Sequence, residues 1–306
     1  MSTTLRGRNH LVGSIFEHEL EIEGHRTYAV DLDGGGPPLL LLHGYSDSAD
    51  TWRPAMDVLR RRGHRARAVD MPGFGRAQRL DRERPVLEQL DEFVAGAIRT
   101  LAADSTEGSV VVVGNSLGGC QAIRAAQNAD LPIGGIVPIA PAGLDLARWI
   151  RAIQTASPIQ MLLRTPVPLP TWAIRAAVGQ AYRTMAFARP RAVAGRSVAA
   201  FTSHVSTKRD VVRILGTGSR LYPEITSPFQ LERVRCPTLV VWGERDAMVY
   251  SRGAQKLLDQ VPGSRLELIP DCGHCPQIEA RDRFVAVLLE FVSELAGHPA
   301  GRLLAT

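Results

Sequence analysis

Val110-Val111-Val112-Val113-Gly114-Asn115-Ser116-Leu117-Gly118-Gly119 is the stretch on which the reading of this 306-residue chain turns. Four consecutive valines with no polar interruption predict a short strand covered on both faces. The strand runs straight into a turn of Gly-x-Ser-x-Gly form centred on one hydroxyl. In that arrangement the serine sits on a strained strand-to-helix corner, and the small residues on either side let backbone segments approach while its side chain projects outward. Gly114 and Gly118 supply the clearance, and Gly119 lets the following helix, expected over 117–129, pack close to the sheet. That helix would aim the Leu117 N–H at charge developing on a carbonyl oxygen. With 28 glycines in the chain the spacing alone is weak, and the strand ahead of it gives it weight.

Working outward, the chain repeats a strand–loop–helix order. Residues 16–23 and 25–32 alternate apolar and polar positions and meet at Gly24, as in a hairpin. The glycines at 34–36 read as a turn, and 38–43 carry Leu39-Leu40-Leu41-Leu42, a second doubly covered strand. Helices are expected over 51–62 and 85–102, and strands over 65–70 and 135–140. Downstream, 238–242 and 265–269 read as strands around a helix at 251–260, and a last helix is expected over 278–295. The economical architecture is α/β: a mostly parallel central sheet flanked by helices.

Between 141 and 228 the strand signals fade into helical apolar spacings marked by Trp149, Met161, Trp172, Met185 and Phe201, with a proline-rich stretch at 166–170. This reads as a helical cap inserted at 145–228, with residues 1–144 and 229–306 forming the core domain. The cap is expected to cover the Ser116 pocket. Its bland alternative is an accessory layer whose apolar residues only pack helices together.

Four more segments stand in a telling order. Leu42-His43-Gly44-Tyr45 continues to Asp50-Thr51-Trp52; Asp70-Met71-Pro72-Gly73-Phe74-Gly75 follows the next strand; then come Gly243-Glu244-Arg245-Asp246 and Asp271-Cys272-Gly273-His274-Cys275-Pro276. Together with the serine turn, these segments resemble those of α/β-hydrolases of the serine-nucleophile branch with a helical cap, over about 39–274. The resemblance implies a nucleophile elbow at Ser116, a base at His274, an orienting acid at Asp246, and oxyanion-hole amides on Leu117 and Tyr45. It makes His43 a loop-positioning residue. Glu244 is the rival acid, and it fits the position less well.

The activity so implied is hydrolysis of a small or medium carboxylic ester through an acyl-enzyme, by an esterase or lipase-like enzyme without cofactor or metal. The Asn115 that precedes the serine also resembles the branch that cleaves carbon–carbon bonds in vinylogous diketones, although Asn115 reads equally well as a hydrogen-bonding partner for a neighbouring loop. A third reading is a catalytically inert protein of the same fold that binds a small apolar molecule.

Other chemistry is poorly supported. Cys272 and Cys275 bracket an imidazole but lack further converging ligands, so buried small side chains are the better reading than a metal or redox centre. The glycine run at 34–36 lacks the Gly-Lys-Ser/Thr ending of a phosphate loop. Four irregularly spaced cysteines specify no disulfide framework, and the first residues lack a secretory apolar core, so a cytoplasmic setting is expected. No apolar run suits a transmembrane span, and no basic–aromatic pattern suits nucleic acid. The formal charge of +5 is uneven: residues 145–224 hold twelve basic against three acidic side chains, net +9, leaving −4 elsewhere. A basic cap is compatible with an anionic substrate or a membrane surface, and a solvated arginine face is the plainer explanation. Arg175, Arg183 and Arg189 are the cap arginines that could meet a carboxylate.

Overall fold

The computed structural model describes residues 13–147 and 169–297. Strand β5 (Val110–Asn115) is buried at every position, as its unbroken apolar run requires, and lies parallel between β3 (Gly35–Leu42) and β6 (Ile133–Ile139). With β1 (Ile15–Ile22), β2 (His25–Leu32), β4 (His64–Val69), β7 (Leu239–Gly243) and β8 (Arg265–Ile269), the described residues form one sheet ordered β1-β2-β4-β3-β5-β6-β7-β8. The β1–β2 and β2–β4 pairs are antiparallel, and the rest of the sheet is parallel. The β1–β2 turn places Glu23 and Gly24 at φ 48° and 74°, the doubly positive geometry that twists a two-residue hairpin correctly.

Helices cover both faces, and strand alternation divides the core between them. Leu40, Leu42, Val110 and Val112 pack with α2 (Val86–Ala103), α3 (Leu117–Ala126) and Leu257 of α7 (Ala254–Gln260). Leu39, Leu41, Val111 and Val113 face α1 (Arg53–Arg61) and α9 (Arg281–Gly297). Between β6 and β7 the described residues hold three helices, α4 (Thr171–Ala186), α5 (Gly195–Thr202) and α6 (Lys208–Glu224), which make up the helical cap. The cap is fastened to the core at the far end of α6, where the Glu224 carboxylate accepts hydrogen bonds from Val86 N–H and Leu87 N–H at 2.9 and 2.7 Å. These are amides that open α2 and have no intrahelical acceptor, so an anion there is doubly favoured.

Several boundaries differ from the expected ones. The segment expected as a turn at 34–36 already opens β3, whose register slips between Gly35 and Leu39 because Pro37 and Pro38 offer no N–H to the ladder. The helices expected at 51–62 and 251–260 each begin with a 3₁₀ turn, Ala49–Trp52 and Ser251–Gly253. The helix expected over 117–129 ends at Ala126. The last helix is two pieces, α8 (Pro276–Glu279) and α9, broken at Ala280 with φ −130° and ψ 38°; the break leaves Glu279 facing a loop that matters below. Trp149 and Met161, like most of the proline-rich stretch, lie outside the described residues.

The corner after β5 tolerates no added volume. A Cβ on Gly114 would stand 2.1 Å from the Gly118 carbonyl oxygen, and one on Gly118 would stand 2.2 Å from the Leu42 carbonyl oxygen. Because these are backbone atoms, relief requires separating α3 from β3 and β5. Gly114→Ala is therefore expected to destabilise the fold by about 1–3 kcal/mol or more, read as a lowered Tm in thermal unfolding; an unchanged Tm would contradict this packing.

Candidate active site

Ser116 ends β5 and caps α3 with φ 55° and ψ −110°, a backbone state that costs a non-glycine residue about 1–3 kcal/mol and persists only when its surroundings impose it. They do so on both sides: Ser116 N–H donates to the Ile139 carbonyl at 2.8 Å, and its own carbonyl accepts from Cys120 and Ala142 at 2.9 and 3.0 Å. The loop after β3 runs alongside, since a Cβ on Gly44 would lie 3.4 Å from the Ser116 Cβ. Leu117 is the first residue of α3, where amides have no intrahelical acceptor. Among the described residues neither the Leu117 nor the Tyr45 amide donates to a backbone carbonyl.

The Tyr45 side chain is engaged elsewhere. Its ring packs edge-on against Phe74 with centroids 5.5 Å apart, and its hydroxyl donates to the Ile214 carbonyl of α6. Next to it, His43 is wholly buried and used at both nitrogens: Nδ1 lies 2.7 Å from the Gly44 carbonyl, and Nε2 accepts from Met71 N–H at 2.9 Å. An imidazole that accepts at Nε2 must be neutral, and burial pulls its pKa down to about 4. His43 thus joins the loops after β3 and β4, as expected from the sequence. Asp70 reinforces the joint, accepting from Ala49 N–H at 2.6 Å and Arg76 N–H at 2.7 Å.

His274 and Asp246, 28 residues apart in the chain, meet directly. Nδ1 of His274 lies 2.7 Å from Oδ2 of Asp246, both side chains being buried. The other carboxylate oxygen of Asp246 accepts from Met248 and Val249 N–H at 2.8 and 3.0 Å, so its orientation is fixed. Glu244, the rival acid, is exposed. Nε2 of His274 is buried and makes no hydrogen bond, leaving one ring nitrogen committed and one able to receive a proton.

The loop carrying His274 is held from three sides. Asn115, the neighbour of Ser116, donates through Nδ2 to the His274 carbonyl at 2.9 Å. His274 N–H donates to the Ala186 carbonyl of the cap at 2.8 Å. The Glu279 carboxylate then accepts from Gly273 N–H on the loop at 2.7 Å and from Ala188 and Arg189 N–H on the cap at 3.2 and 2.7 Å. Asn115 therefore serves the loop, the second of its two expected roles.

The cap meets this loop through Tyr182, Phe187, Val193 and Val198, which enclose Cys275. The Tyr182 ring stacks on Phe201 with centroids 3.7 Å apart, and its hydroxyl lies 3.8 Å from the Cys275 sulfur. Trp172, expected in the pocket lining, is instead 74% exposed: it stands in the first turn of α4 on the solvent face. Arg175 is spent inside the cap, on the Val205 and Ser203 carbonyls and the Ser206 hydroxyl. Burial pushes the Cys272 thiol up to about 12 and the Cys275 thiol up as well, which makes both poor nucleophiles near neutrality. Asp47, also buried, is raised to about 7. Among the described residues no group of three or more His, Cys, Asp or Glu side chains is arranged to hold a metal ion, and no helix is long and apolar enough to cross a membrane.

Residues 39–287 match the profile of the Alpha/beta hydrolase family. The chain belongs to that family. It is 28% identical over 276 residues to the 2-hydroxy-6-oxo-6-(2'-aminophenyl)hexa-2,4-dienoic acid hydrolase of Metapseudomonas resinovorans, covering 86% of each chain. It is 26% identical over 266 residues to the pimeloyl-[acyl-carrier protein] methyl ester esterase of Nitrosomonas europaea, covering 84% of this chain and 96% of that protein. The crystal structure of a serine hydrolase involved in carbazole degradation superposes with a TM-score of 0.72 at 22% identity, over 92% of this chain and all of that one.

His43 gives the site a pH signature. Its pKa falls from the ordinary 6.5 to about 4 on folding, so between these values the unfolded chain binds more protons and stability drains away as pH falls, by on the order of 3 kcal/mol in full. Asp47, raised from 3.8 to about 7, acts oppositely, favouring the folded state at low pH and losing that contribution as pH rises through 7. The difference between proteins isolates His43: a folded His43→Gln variant is expected to lose less stability than wild type between pH 6.5 and 4 in urea unfolding. Equal pH dependence of the two would contradict a buried neutral imidazole.

Proposed function

We propose that the chain is a serine hydrolase in which Ser116 is the nucleophile, His274 the general base and Asp246 the acid that orients it. The Leu117 and Tyr45 amides receive the oxyanion. The observation that carries this reading is a hydroxyl-bearing residue held at positive φ on a strand–helix corner, together with a buried imidazole whose Nδ1 is fixed by a buried carboxylate and whose Nε2 is unengaged. In this reading residues 145–228 form the cap unit over a core of 1–144 and 229–306, with the Tyr182–Phe201 stack shaping the acyl side. The cytoplasmic setting suggested by the cysteine usage belongs to the same proposal.

For the substrate, the weight shifts from a carboxylic ester to a vinylogous diketone. The substrate in the name of the Metapseudomonas relative couples a 2-hydroxydiene acid to a ketone at carbon 6, and its keto tautomer is such a diketone. Ser116 would add to that ketone as His274 takes its proton, forming a tetrahedral oxyanion held by the two amides. Breaking the bond between carbons 5 and 6 sends its electron pair into the conjugated system, which recovers a proton from His274. Water, activated by His274, then releases the acyl group as a carboxylic acid. Ester cleavage is the second reading, favoured by the Nitrosomonas esterase; it needs the same groups, with an alcohol leaving in place of carbon.

The test compares 2-hydroxy-6-oxo-6-phenylhexa-2,4-dienoate, followed by loss of its conjugated chromophore, with neutral p-nitrophenyl esters. A higher kcat/KM for the dienoate is expected, and efficient turnover of the esters alone would favour the second reading. Ser116→Ala and His274→Ala should each lower turnover on the order of a thousand-fold or more, with little further loss in the double variant, because the residues act as a unit. Wild-type protein that is folded, yet neither turns over these substrates nor is labelled at Ser116 by an activated phosphonate, would overturn catalysis in favour of a binding protein.

A further inference from the structure

A cavity of about 660 Å³ lies at the seam between the cap and the core, with α6 as one wall and the 73–82 segment after β4 as the other. None of Ser116, Asp246 and His274 lines it. Its walls carry Arg79, Arg82, Lys208, Arg209, Arg213 and Arg220 against the single carboxylate of Asp210, a net +5 that equals the formal charge of the whole chain. Asp210 accepts from the Ser206 and Thr207 amides, caps α6 and pairs with Arg213 at 3.7 Å, so it answers one of the six cations.

Two of the arginines build the walls. Arg213 donates to the Gly73 carbonyl at 2.9 Å, and Arg220 donates to the Asp81 and Arg84 carbonyls at 2.8 and 2.6 Å, so α6 and the loop are held a fixed distance apart. Arg79, Arg82 and Arg209 are exposed at the rim. Cations gathered around one cavity with little counter-charge favour an anionic occupant, and a volume of this size falls in the range of small-molecule sites. Leu80 and the half-exposed Val212 add apolar surface beside the cations. A single carboxylate would leave most of the charge unanswered, whereas a phosphoryl group offers two charges and several acceptors to guanidinium forks.

We infer that this seam cavity is a binding site for a phosphate-bearing ligand, distinct from the Ser116 centre. The phosphate belongs either to a free phosphorylated molecule or to a lipid headgroup.

Gly216 provides the test, because it faces the cavity and a Cβ built on it meets nothing within 4 Å. Gly216→Ala removes helical glycine without adding charge and is the folding control; Gly216→Glu places a carboxylate among the cations. Arg79→Gln/Arg209→Gln removes two rim charges independently and decides the matter should Gly216→Glu fail to fold. The full chain is dialysed against labelled inorganic pyrophosphate and, separately, sedimented with phosphatidylcholine vesicles with and without phosphatidylglycerol. Wild type and Gly216→Ala should bind pyrophosphate alike, with Gly216→Glu and the double variant weaker by about tenfold or more. The same pattern on phosphatidylglycerol vesicles without pyrophosphate binding would assign the site to a headgroup. Absence of binding to both probes, or equal binding by wild type and the charge-altered variants, overturns the inference.

Discussion

Everything at the centre of this molecule depends on one steric condition: β3, β5 and the start of α3 approach one another at backbone distance. Gly114 and Gly118 meet that condition by having no side chain, and the contact between them leaves Ser116 no extended or helical alternative. The strain at Ser116 is thus a boundary condition imposed by the sheet, maintained by apolar burial on either face. The valine run matters for the same reason. A strand that could slip or fray would let the corner relax, and β5 is buried at every position.

From that corner, order is passed on by polar bonds between segments far apart in the chain. Asn115 holds the loop of His274, Asp246 holds its ring, and His43 and Asp70 hold the loop that brings Tyr45 past the serine. Each of these groups is buried, so losing its partner would leave an unsatisfied donor or acceptor, costing about 1–3 kcal/mol. The neutral state of His43 follows from the same accounting, since a charged imidazole could not accept from Met71 N–H.

How much of this was legible in the sequence depended on the range of the interactions. The strands around 110–115, 39–42 and 239–243 were written in local apolar runs, and the serine corner in glycine spacing; the segments bearing Tyr45, Asp246 and His274 were picked out by their resemblance to α/β-hydrolase motifs. Helix ends were blurred wherever a 3₁₀ turn precedes the helix, and the break at Ala280 was invisible because the apolar periodicity continues through it. Glu279 and Glu224 could not have been singled out: their cross-chain partners, on the cap for Glu279 and on α2 for Glu224, lie about 90 and 138 residues away, and a surface-looking glutamate carries no mark of the amides it will meet. Trp172 misled for the complementary reason, since bulk and hydrophobicity do not tell which side of a cap helix faces inward.

The fastening of the cap has a consequence for how such a protein can acquire new chemistry. One edge grips the loop of His274 through Ala186 and Glu279, and the other grips Tyr45 through Ile214. A change inside the cap would therefore reach both the His274 loop and the Tyr45 loop, the segments proposed above to supply the base and an oxyanion amide. Under the roles proposed above, selectivity and speed would be mechanically geared together, and a cap that drifted to suit a new ligand would retune the timing of proton transfer with every adjustment of fit.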